Sequence, residues 1–385
     1  MKAGWERKPL GEVCQLINGR AYKKDELLEA GKYPVLRVGN FFTNDHWYHS
    51  NLELDADKYC DNGDLLYAWS ASFGPRVWEG DKVIYHYHIW KVLPNASQVT
   101  KKFLYNLLEW DVDQIKEAHG TGTTMMHVSK GSMESRVVPV PPLPEQQRIV
   151  TILDQAFEGI ATAAANAEKN LANASEIFDD YLNVIVASHG EGWEKTKLCE
   201  IAEYFNGLTY SPKDVADKGI IVLRSSNVQN DELDFSDVVR VNLSVKDKIK
   251  VKDGDILMCS RNGSKRLVGK TATIKNLNEE MTFGTFMMII RSPFNHYLSW
   301  FFKSKYFRAQ IAGGENTMIN QITRYMLDDV SLNLPPIQLQ SELAYKLDEL
   351  FAETKRLESV YQKKLIALDE LKKSILNQAF SGQLN

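Results

Sequence analysis

Three motifs in the first half of this chain recur in the second half in the same order. The matching pairs are Trp5-Glu6 and Trp193-Glu194, Asn18-Gly19 and Asn206-Gly207, and Val140-Pro141-Pro142-Leu143 and Leu334-Pro335-Pro336-Ile337. A repeat this long indicates a duplicated domain, because the units of solenoid proteins recur roughly every 20–50 residues. We therefore expect two similar globular domains within one chain, an arrangement that suits a target made of two parts.

Each half of the sequence combines a mixed globular segment with a long helical one. Short β-like runs alternate with loops rich in Gly, Asn and Asp, which predicts an α+β domain with a twisted sheet in each half. Each Pro-Pro pair marks the end of a domain, because proline fixes φ and disfavours helix in the preceding residue. The predicted boundaries are residues 1–140 for the first domain, 141–190 for a central helix, 191–334 for the second domain and 335–385 for a C-terminal helix.

The secondary structure predicted for the two domains follows the same rhythm. In the first domain, strands are predicted at residues 33–38, 64–69 and 82–93, and a helix at 101–118. In the second domain, strands are predicted at residues 220–224, 255–259, 267–274 and 285–291, and a helix at 296–312.

The two long helical segments both carry apolar residues at alternating steps of three and four. This seam runs from Leu153 to Ile185 in the central helix, and from Leu347 through Leu350 and Leu371 in the C-terminal helix. Such an alternation over several heptads is typical of a coiled coil, so we expect the two helices to pair. The seam residues predicted to bind a partner are Leu153, Phe157, Leu171, Phe178, Leu357, Tyr361 and Leu368.

The two long helices are predicted to begin differently. Pro144-Glu145 places a proline and a carboxylate in the first turn of the central helix, which is a favourable N-terminus. The C-terminal helix lacks this pair, and Ser341-Glu342 is the plausible cap, so we expect that helix to begin near Ser341.

The composition is that of a globular chain without membrane or disulfide features. Hydrophobic residues make up 44% of the 385, which is enough for packed cores, and no apolar run is long enough to span a bilayer. The N-terminus lacks an apolar signal region, and the four cysteines lie far apart, so we expect a cytoplasmic protein without a membrane partner. The net charge of −4 hides a basic segment, residues 246–275, with nine basic and three acidic side chains.

Two segments resemble catalytic or metal-binding motifs without matching them. Residues 264–271 end in Gly-Lys-Thr like a phosphate-binding loop, but Ser264 stands where that motif needs glycine, and Leu267-Val268 is predicted to be a strand. His86 and His88 would share one face of a strand, yet no further ligand has suitable spacing, so hydrogen-bonded histidines are favoured over a metal site.

Cationic and amide side chains in the loops after predicted strands form the remaining candidate site. Arginine pairs bidentately with guanine and asparagine with adenine, whereas serine and lysine suit phosphate. For any single cation, a solvated surface residue is an equally good interpretation. The candidate DNA-binding residues are Arg37, Asn40, Trp69, Ser70, Ser72 and Arg76 in the first domain, and Arg224, Asn227, Arg261, Asn262, Ser264, Lys265 and Arg266 in the second.

With these features the chain resembles the DNA-specificity subunits of type I restriction–modification systems. The resemblance covers the whole chain and rests on Trp-Glu at the start of each half and on Gly-Asp-Leu/Ile-Leu at residues 63–66 and 254–257. Its most specific signature is Pro-Pro-Leu-Pro-Glu-Gln-Gln-Arg-Ile at residues 141–149. The second copy, at residues 335–340, lacks the Pro-Glu-Gln portion.

The resemblance implies two target-recognition domains, each reading one half of an asymmetric, gapped site in double-stranded DNA. It also implies that the two long helices form an antiparallel coiled coil, which sets the gap and docks two methyltransferase subunits. Motor–nuclease subunits would join for cleavage. The chain itself would catalyse nothing and bind no cofactor, because S-adenosylmethionine, ATP and magnesium would bind the partner subunits.

Two other classes of function compete with this interpretation. One is an enzyme, such as a fused restriction–modification polypeptide or a stand-alone nuclease. It would need methyltransferase or carboxylate–lysine nuclease motifs, and the length leaves no room for extra domains. The other is a non-enzymatic coiled-coil scaffold whose two heads bind protein. Salt-sensitive DNA binding separates that scaffold from a DNA-reading subunit.

Overall fold

The computed structural model describes residues 4–42, 45–70, 72–119, 127–312 and 320–384 of the chain. They form two compact units. Unit 1 comprises Met1–Ala167 with Lys363–Asn385, and unit 2 comprises Glu168–Gln362. Each unit therefore contains one globular α+β domain and a part of each of two long helices.

The globular part of unit 1 consists of short strands around one longer helix. Its strands are β1 (Glu6–Pro9), β2 (Cys14–Asn18), β3 (Tyr33–Leu36), β4 (Tyr48–Ser50), β5 (Tyr59–Cys60), β6 (Leu65–Ser70), β7 (Ser72–Val77), β8 (Val83–Tyr85), β9 (Ile89–Pro94) and β10 (Val137–Val140). Its helices are α1 (Leu10–Val13), α2 (Val38–Phe42), α3 (Lys101–His119) and α4 (Lys130–Glu134), followed by the long helix α5 (Leu143–Ala187).

The globular part of unit 2 repeats most of these elements and adds a short hairpin of its own. Its strands are β11 (Glu194–Lys197), β12 (Glu203–Asn206), β13 (Val215–Leu223), β14 (Val228–Gln229), β15 (Glu232–Leu233), β16 (Val239–Val241), β17 (Ile256–Cys259), β18 (Thr271–Thr273), β19 (Met281–Phe283), β20 (Met287–Arg291) and β21 (Ser331–Leu334). Its helices are α6 (Leu198–Ile201), α7 (Asn295–Phe301), α8 (Lys305–Ala312) and α9 (Arg324–Asp328), followed by the long helix α10 (Ile337–Ser381).

The sheets of the two units share one topology, which confirms that the repeated motifs reflect a duplicated domain. A four-stranded antiparallel sheet has the order β2-β9-β6-β7 in unit 1 and β12-β20-β17-β18 in unit 2. A second sheet contains the orders β4-β3-β8 and β16-β13-β19, and in both units its central pair, β3 with β8 or β13 with β19, is parallel.

The repeated ends of each half pair with each other. Strand β1, which follows Trp5, runs antiparallel to β10, so that Glu6 lies opposite Val140 just before the first Pro-Pro. Strand β11 pairs with β21 in the same way, with Glu194 opposite Leu334. The Trp-Glu and Pro-Pro motifs therefore recur together because each domain is closed by a ribbon that joins its two ends.

The Gly-Asp motif ties the central strand of each sheet to its neighbour. Gly254 adopts a φ of +85°, which suits glycine, and the next residue, Asp255, accepts hydrogen bonds from the backbone N–H of Lys252 (2.8 Å) and Nε of Arg291 (2.7 Å). In unit 1, Asp64 follows a glycine with a φ of +88° and binds Lys91 Nζ at 2.6 Å. The motif thus fastens β6 to β9 and β17 to β20.

A glutamine fixes the start of each long helix. The backbone N–H of Gln146 donates to the carbonyl of Pro142 (3.0 Å), and its Nε2 donates to that of Pro141 (2.8 Å). Gln340 makes the same two bonds to Pro336 (2.9 Å) and Pro335 (2.7 Å). The expectation that the C-terminal helix begins near Ser341 is therefore wrong. That helix starts at Ile337, directly after Pro-Pro, because Gln340 satisfies the carbonyls of the prolines.

The long helices pack in antiparallel fashion within each unit. In unit 1 the ammonium of Lys372 on α10 lies 5.3 Å from the ring centroid of Phe157 on α5. In unit 2 Phe178 packs on Phe351 with ring centroids 5.2 Å apart, and Ser175 donates a 2.6 Å hydrogen bond to Glu358. A residue further along α5 therefore contacts a residue nearer the start of α10, so the two helices run in opposite directions. This confirms the antiparallel coiled coil that the resemblance implied.

The seam of α5 is confirmed, and that of α10 is confirmed except at two positions, since Leu357, Tyr361 and Leu368 are at least half-buried. Leu350 and Leu371 are 38% and 47% exposed, so their assignment to the seam is wrong. Phe351 takes the place of Leu350, because its ring packs on both Phe178 and Trp300, at 5.2 Å from each. The globular domain of unit 2 therefore determines which side of α10 is covered.

Three predicted elements are interrupted in the structure. The strand predicted at 82–93 is divided by a turn between β8 and β9, and the helix predicted at 296–312 is divided between α7 and α8. The strand predicted at 267–274 shortens to β18, because residues 265–267 form a 3-10 turn. Among the described residues, no helix is long and apolar enough to cross a membrane.

Candidate nucleic-acid interface

Backbone contacts bring four segments of unit 1 together at one end of its sheets. The N–H of Trp69 donates to the carbonyl of His88 (3.1 Å), and the N–H of His86 donates to that of Leu36 (2.9 Å). Ser70 forms an isolated bridge with His127. These segments therefore form one surface, which we call the loop edge of unit 1. It comprises the ends of β3 and β6, the β8–β9 turn and the segment that begins at His127.

Unit 2 has an equivalent loop edge with the same bonds. The N–H of Ser260 donates to the carbonyl of Phe286 (3.0 Å), and that of Gly284 donates to Leu223 (2.9 Å). Arg261 forms an isolated bridge with Gln321. These contacts match those of unit 1 position by position, so the loop edge belongs to the duplicated scaffold.

The repeated Asn-Gly motif exists because the chain passes very close to the loop edge. A Cβ atom on Gly19 would lie 2.3 Å from the carbonyl oxygen of Tyr85, and one on Gly207 would lie 2.2 Å from that of Gly284. Neither position accommodates a side chain. The motif therefore fixes the turn that precedes β9 or β20.

The candidate residues of unit 1 differ in whether their side chains are exposed or bound within their own loop. Arg37 is exposed, with its guanidinium 5.3 Å from the ring centroid of Tyr48, and Arg76 is exposed over Phe42 at 5.4 Å. Asn40 donates to the carbonyl of His46 (2.6 Å). Arg37 and Arg76 thus present charge, whereas the Asn40 amide helps to order its own loop.

The other three candidates of unit 1 lie at the end of β6 and the start of β7. Trp69 stacks on Trp90 at 5.6 Å and donates Nε1 to the carbonyl of Tyr87 (2.9 Å), and Ser70 is only 4% exposed. The side chain of Ser72 lies outside the described residues. The geometry therefore favours Trp69 and Ser70 as supports of the loop edge.

The two histidines weighed as metal ligands lie at the loop edge, where His127, which the sequence did not connect with them, is close by. His86 and His88 lie in the β8–β9 turn rather than on one strand face, with ring centroids 4.8 Å apart, and His127 lies 6.4 Å from His88. Burial, reinforced by His88 and Arg37, lowers the pKa of His86 to about 4. Burial also lowers the pKa of His88. Within the described ranges, no group of three or more His, Cys, Asp and Glu side chains could hold a metal ion.

In unit 2, the residues after β13 are engaged with their own loop. Arg224 forms an ion pair with Asp237 at 2.7 Å. Asn227 is 1% exposed, and its Nδ2 donates to the carbonyls of Asp234 (2.9 Å) and Asp237 (2.8 Å). This arrangement favours a loop-shaping role for Asn227 over contact with a base.

The loop after β17 is the most exposed cationic segment of the site. Arg261, Lys265 and Arg266 are all exposed, and the last two lie in a 3-10 turn. Asn262 donates to Oγ of Ser225 (3.0 Å) and accepts from the N–H of Ser264 (2.9 Å). The amide of Asn262 therefore shapes the loop that carries the three cations.

The Gly-Lys-Thr sequence at the end of this loop is structural. Lys270 Nζ donates to the carbonyls of Ser225 (2.5 Å) and Val228 (2.7 Å), and burial lowers the pKa of this lysine. The segment leads into β18, whereas a phosphate-binding loop opens onto a helix. Lys270 thus ties two loops of the interface together.

Comparison with known proteins identifies the architecture. Residues 2–171 and 190–366 match the model of a family described as type I restriction modification DNA specificity domain. The chain belongs to this family. DNA sequence recognition is the function of the family, whose specificity subunits are non-catalytic parts of a restriction–modification complex.

Two curated relatives match this specificity-domain chain along nearly its whole length. The EcoKI specificity subunit of Escherichia coli (strain K12) is 24% identical over 424 residues, which cover 99% of this chain and 89% of the relative. The MjaVIII specificity subunit of Methanocaldococcus jannaschii is 22% identical over 410 residues, which cover 99% and 93%.

Two solved structures show the same fold. A chain from a study of complex assembly and conformational transition in the type I R-M system matches with a TM-score of 0.80 and 18% identity, covering 100% of this chain and 99% of that one. The HsdS subunit from Thermoanaerobacter tengcongensis matches with a TM-score of 0.59 and 18% identity, covering 100% and 98%.

Two seam residues of this specificity subunit are buried in the cores of their own units. Leu153 is fully buried in the core of unit 1, and Phe178 is 7% exposed in that of unit 2. The remaining members are at least half-buried along the long helices; they are Phe157, Leu171, Leu357, Tyr361 and Leu368. Their burial agrees with the pairing of α5 and α10, and docking of another subunit along this seam remains a prediction.

Proposed function

We propose that each recognition domain of this chain reads one half of a bipartite, gapped DNA site, and that the long helices set the gap. Two methyltransferase subunits would dock on these helices, and motor–nuclease subunits would join for cleavage. S-adenosylmethionine, ATP and magnesium would bind those partner subunits and not this chain, which would act in the cytoplasm.

One observation carries the proposal: the two loop edges share their backbone connections and differ in their side chains. Ser70 and His127 of unit 1 correspond to Arg261 and Gln321 of unit 2. A shared scaffold places both edges in the same way on a duplex, while base identity is read by side chains. Different side chains on one scaffold are what two unlike half-sites require.

The experiment is to co-express the chain with its methyltransferase partner and to map adenine methylation across the host genome. A bipartite motif with a fixed gap would support the proposal and give both half-sites at once. No methylation from a complex that assembles and binds S-adenosylmethionine would instead favour a protein-binding scaffold. Binding of the complex to duplex DNA should weaken steeply with salt if phosphates are neutralised.

The role of the helices has its own test. A four-residue insertion adds roughly 6 Å to a helix, and base pairs are about 3.4 Å apart, so one helical turn added to α5 should lengthen the gap by about one to two base pairs. Both half-site sequences should stay the same. An unchanged gap in an assembled complex would contradict a spacing role for the helices.

A further inference from the structure

The loop edge of unit 2 contains a pair of side chains that the sequence did not connect. The guanidinium carbon of Arg261 lies 5.7 Å from the ring centroid of Phe286, which is at the tip of the β19–β20 turn. Phe286 is 57% exposed. A cation over an aromatic face is attracted by the ring quadrupole, so this contact orients Arg261.

Such a contact leaves the guanidinium suited to recognition. Arginine presents its N–H donors in a planar fork, and stacking on an aromatic ring limits its orientations without using those donors. No carboxylate among the described residues pairs with Arg261, whereas Arg224 of the same unit binds Asp237 at 2.7 Å. Arg261 is therefore exposed, charged and oriented by an apolar ring.

Gln321 lies beside this pair. Its backbone forms an antiparallel bridge with that of Arg261, and its side chain is exposed. The types of these two side chains match base edges in the major groove, because arginine pairs bidentately with guanine and glutamine with adenine. Their bridged backbones place them within reach of the same base pair or of neighbouring ones.

We propose that Arg261, Phe286 and Gln321 form the base-reading group of the second recognition domain. Arg261 and Gln321 contact base edges in the major groove, and Phe286 is a positioning residue that holds the guanidinium. This inference rests on the proposed function, and it assigns the group to one half-site only, since Ser70, His88 and His127 stand at the equivalent positions of unit 1.

The test uses the complex of the full chain with its methyltransferase partner. Methylation mapping of the wild type gives the site, and competition binding then measures the affinity for duplexes in which each base pair of both half-sites is replaced in turn. The variants are Arg261→Lys, Gln321→Ala, Phe286→Leu and Phe286→Tyr. Arg261→Lys keeps the charge and removes the planar fork, and Phe286→Tyr keeps the ring.

Arg261→Lys should lower discrimination by about 5- to 150-fold at one position of one half-site. Gln321→Ala should act at the same or an adjacent position. Phe286→Leu should lower discrimination at the Arg261 position by about two- to five-fold, while Phe286→Tyr should retain it. The other half-site and the gap should not change.

The matched control residues lie in the same unit and take part in none of the backbone contacts that define the loop edge. Arg240→Lys alters an arginine of β16 that is paired with Glu279 at 2.6 Å. Phe235→Leu alters a phenylalanine that is 46% exposed between Asp234 and Asp237, where phosphate would be repelled. Both should bind with wild-type specificity. The melting temperature of every variant shows whether it is folded.

Several results would overturn the inference. Uniform weakening on all sequences, with a smaller salt dependence, would make Arg261 a phosphate contact. Equal behaviour of Phe286→Leu and Phe286→Tyr would remove the positioning role, and a change in the other half-site would refute the assignment to unit 2. A wild-type complex without any bipartite specificity would refute the proposed function, and the inference with it.

Discussion

Replacement of Asp255 by alanine tests how the second domain is held together. The carboxylate is 2% exposed and binds Arg291 at 2.6 Å. Removing one partner of a buried ion pair costs about 3–5 kcal/mol, because the other charge is left without compensation. The Arg291 side chain is 22% exposed and lies 4.8 Å from the Phe205 ring centroid, so water and the ring compensate part of the loss. We therefore expect a loss of about 3 kcal/mol in the free energy of unfolding of unit 2.

The equivalent residue of unit 1 provides a comparison for Asp255→Ala. In unit 1 the equivalent Asp64 is 26% exposed and binds the flexible Lys91, so Asp64→Ala should cost only about 1–2 kcal/mol. Asp247, 96% exposed and 3.2 Å from Lys250, provides a surface control whose removal should change stability by no more than about 0.5 kcal/mol.

Thermal unfolding of the full chain measures these differences, and hydrogen–deuterium exchange shows which unit is affected. At about 2–4 °C per kcal/mol for a unit of this size, Asp255→Ala should lower the melting temperature of unit 2 by about 6–12 °C. Faster exchange should be confined to unit 2. A loss below about 1 kcal/mol, or a larger effect of Asp64→Ala, would refute the reasoning from burial.

Three further predictions concern single residues. Gly207→Ala should lower the free energy of unfolding by at least about 3 kcal/mol, because its Cβ would lie 2.2 Å from a carbonyl oxygen. Gly159→Ala has open space at its position in α5, so it should raise the free energy of unfolding by about 0.5–1 kcal/mol in the same denaturation assay. The pKa of His86 falls from 6.5 to about 4 on folding, so between these values the unfolded chain binds a proton that the folded chain does not bind. The free energy of unfolding should therefore decrease as pH falls from 6.5 towards 4. A His86→Gln variant should show a flatter dependence of stability on pH. Iodoacetamide should modify the exposed thiol of Cys199 in the native protein, and mass spectrometry measures this modification. Rapid modification of a second cysteine would contradict the burial of the other thiols. The cysteines that should resist are Cys14, Cys60 and Cys259, whose pKa values are raised by burial.

Local patterns predicted most of the fold. The long helices, the start of α5 at Leu143 and the repeated strands depend on periodicity and on proline, which act within a few residues. The start of α10 was misplaced because Gln340, rather than a serine cap, satisfies the Pro-Pro carbonyls. The packing of Phe351 in place of Leu350 depends on Trp300, a contact between distant parts of the chain that no helical period contains.

The sequence predicted which loops form the candidate site, but it did not predict which residues of those loops contact each other. The sequence identified the loop after β17, where Arg261 is exposed. It did not indicate that Asn227 is buried, nor that His127 and Gln321 reach the loop edges, because these positions follow from sheet topology. Exposed Phe286 gave no signal of its own, since a single apolar residue in a turn is common.

The composition of unit 1 from two distant parts of the chain has a consequence during synthesis. Its core includes Phe103, which packs on Phe380 of α10 with ring centroids 5.4 Å apart. The ribosome makes the continuous unit 2 in full before it reaches residue 380, so the second domain of the sequence can finish folding first. Until then, the nascent first domain exposes an apolar surface that α10 later covers. A nonsense codon after residue 362 would therefore leave the C-terminal half intact and make the N-terminal half a substrate for chaperones and proteases.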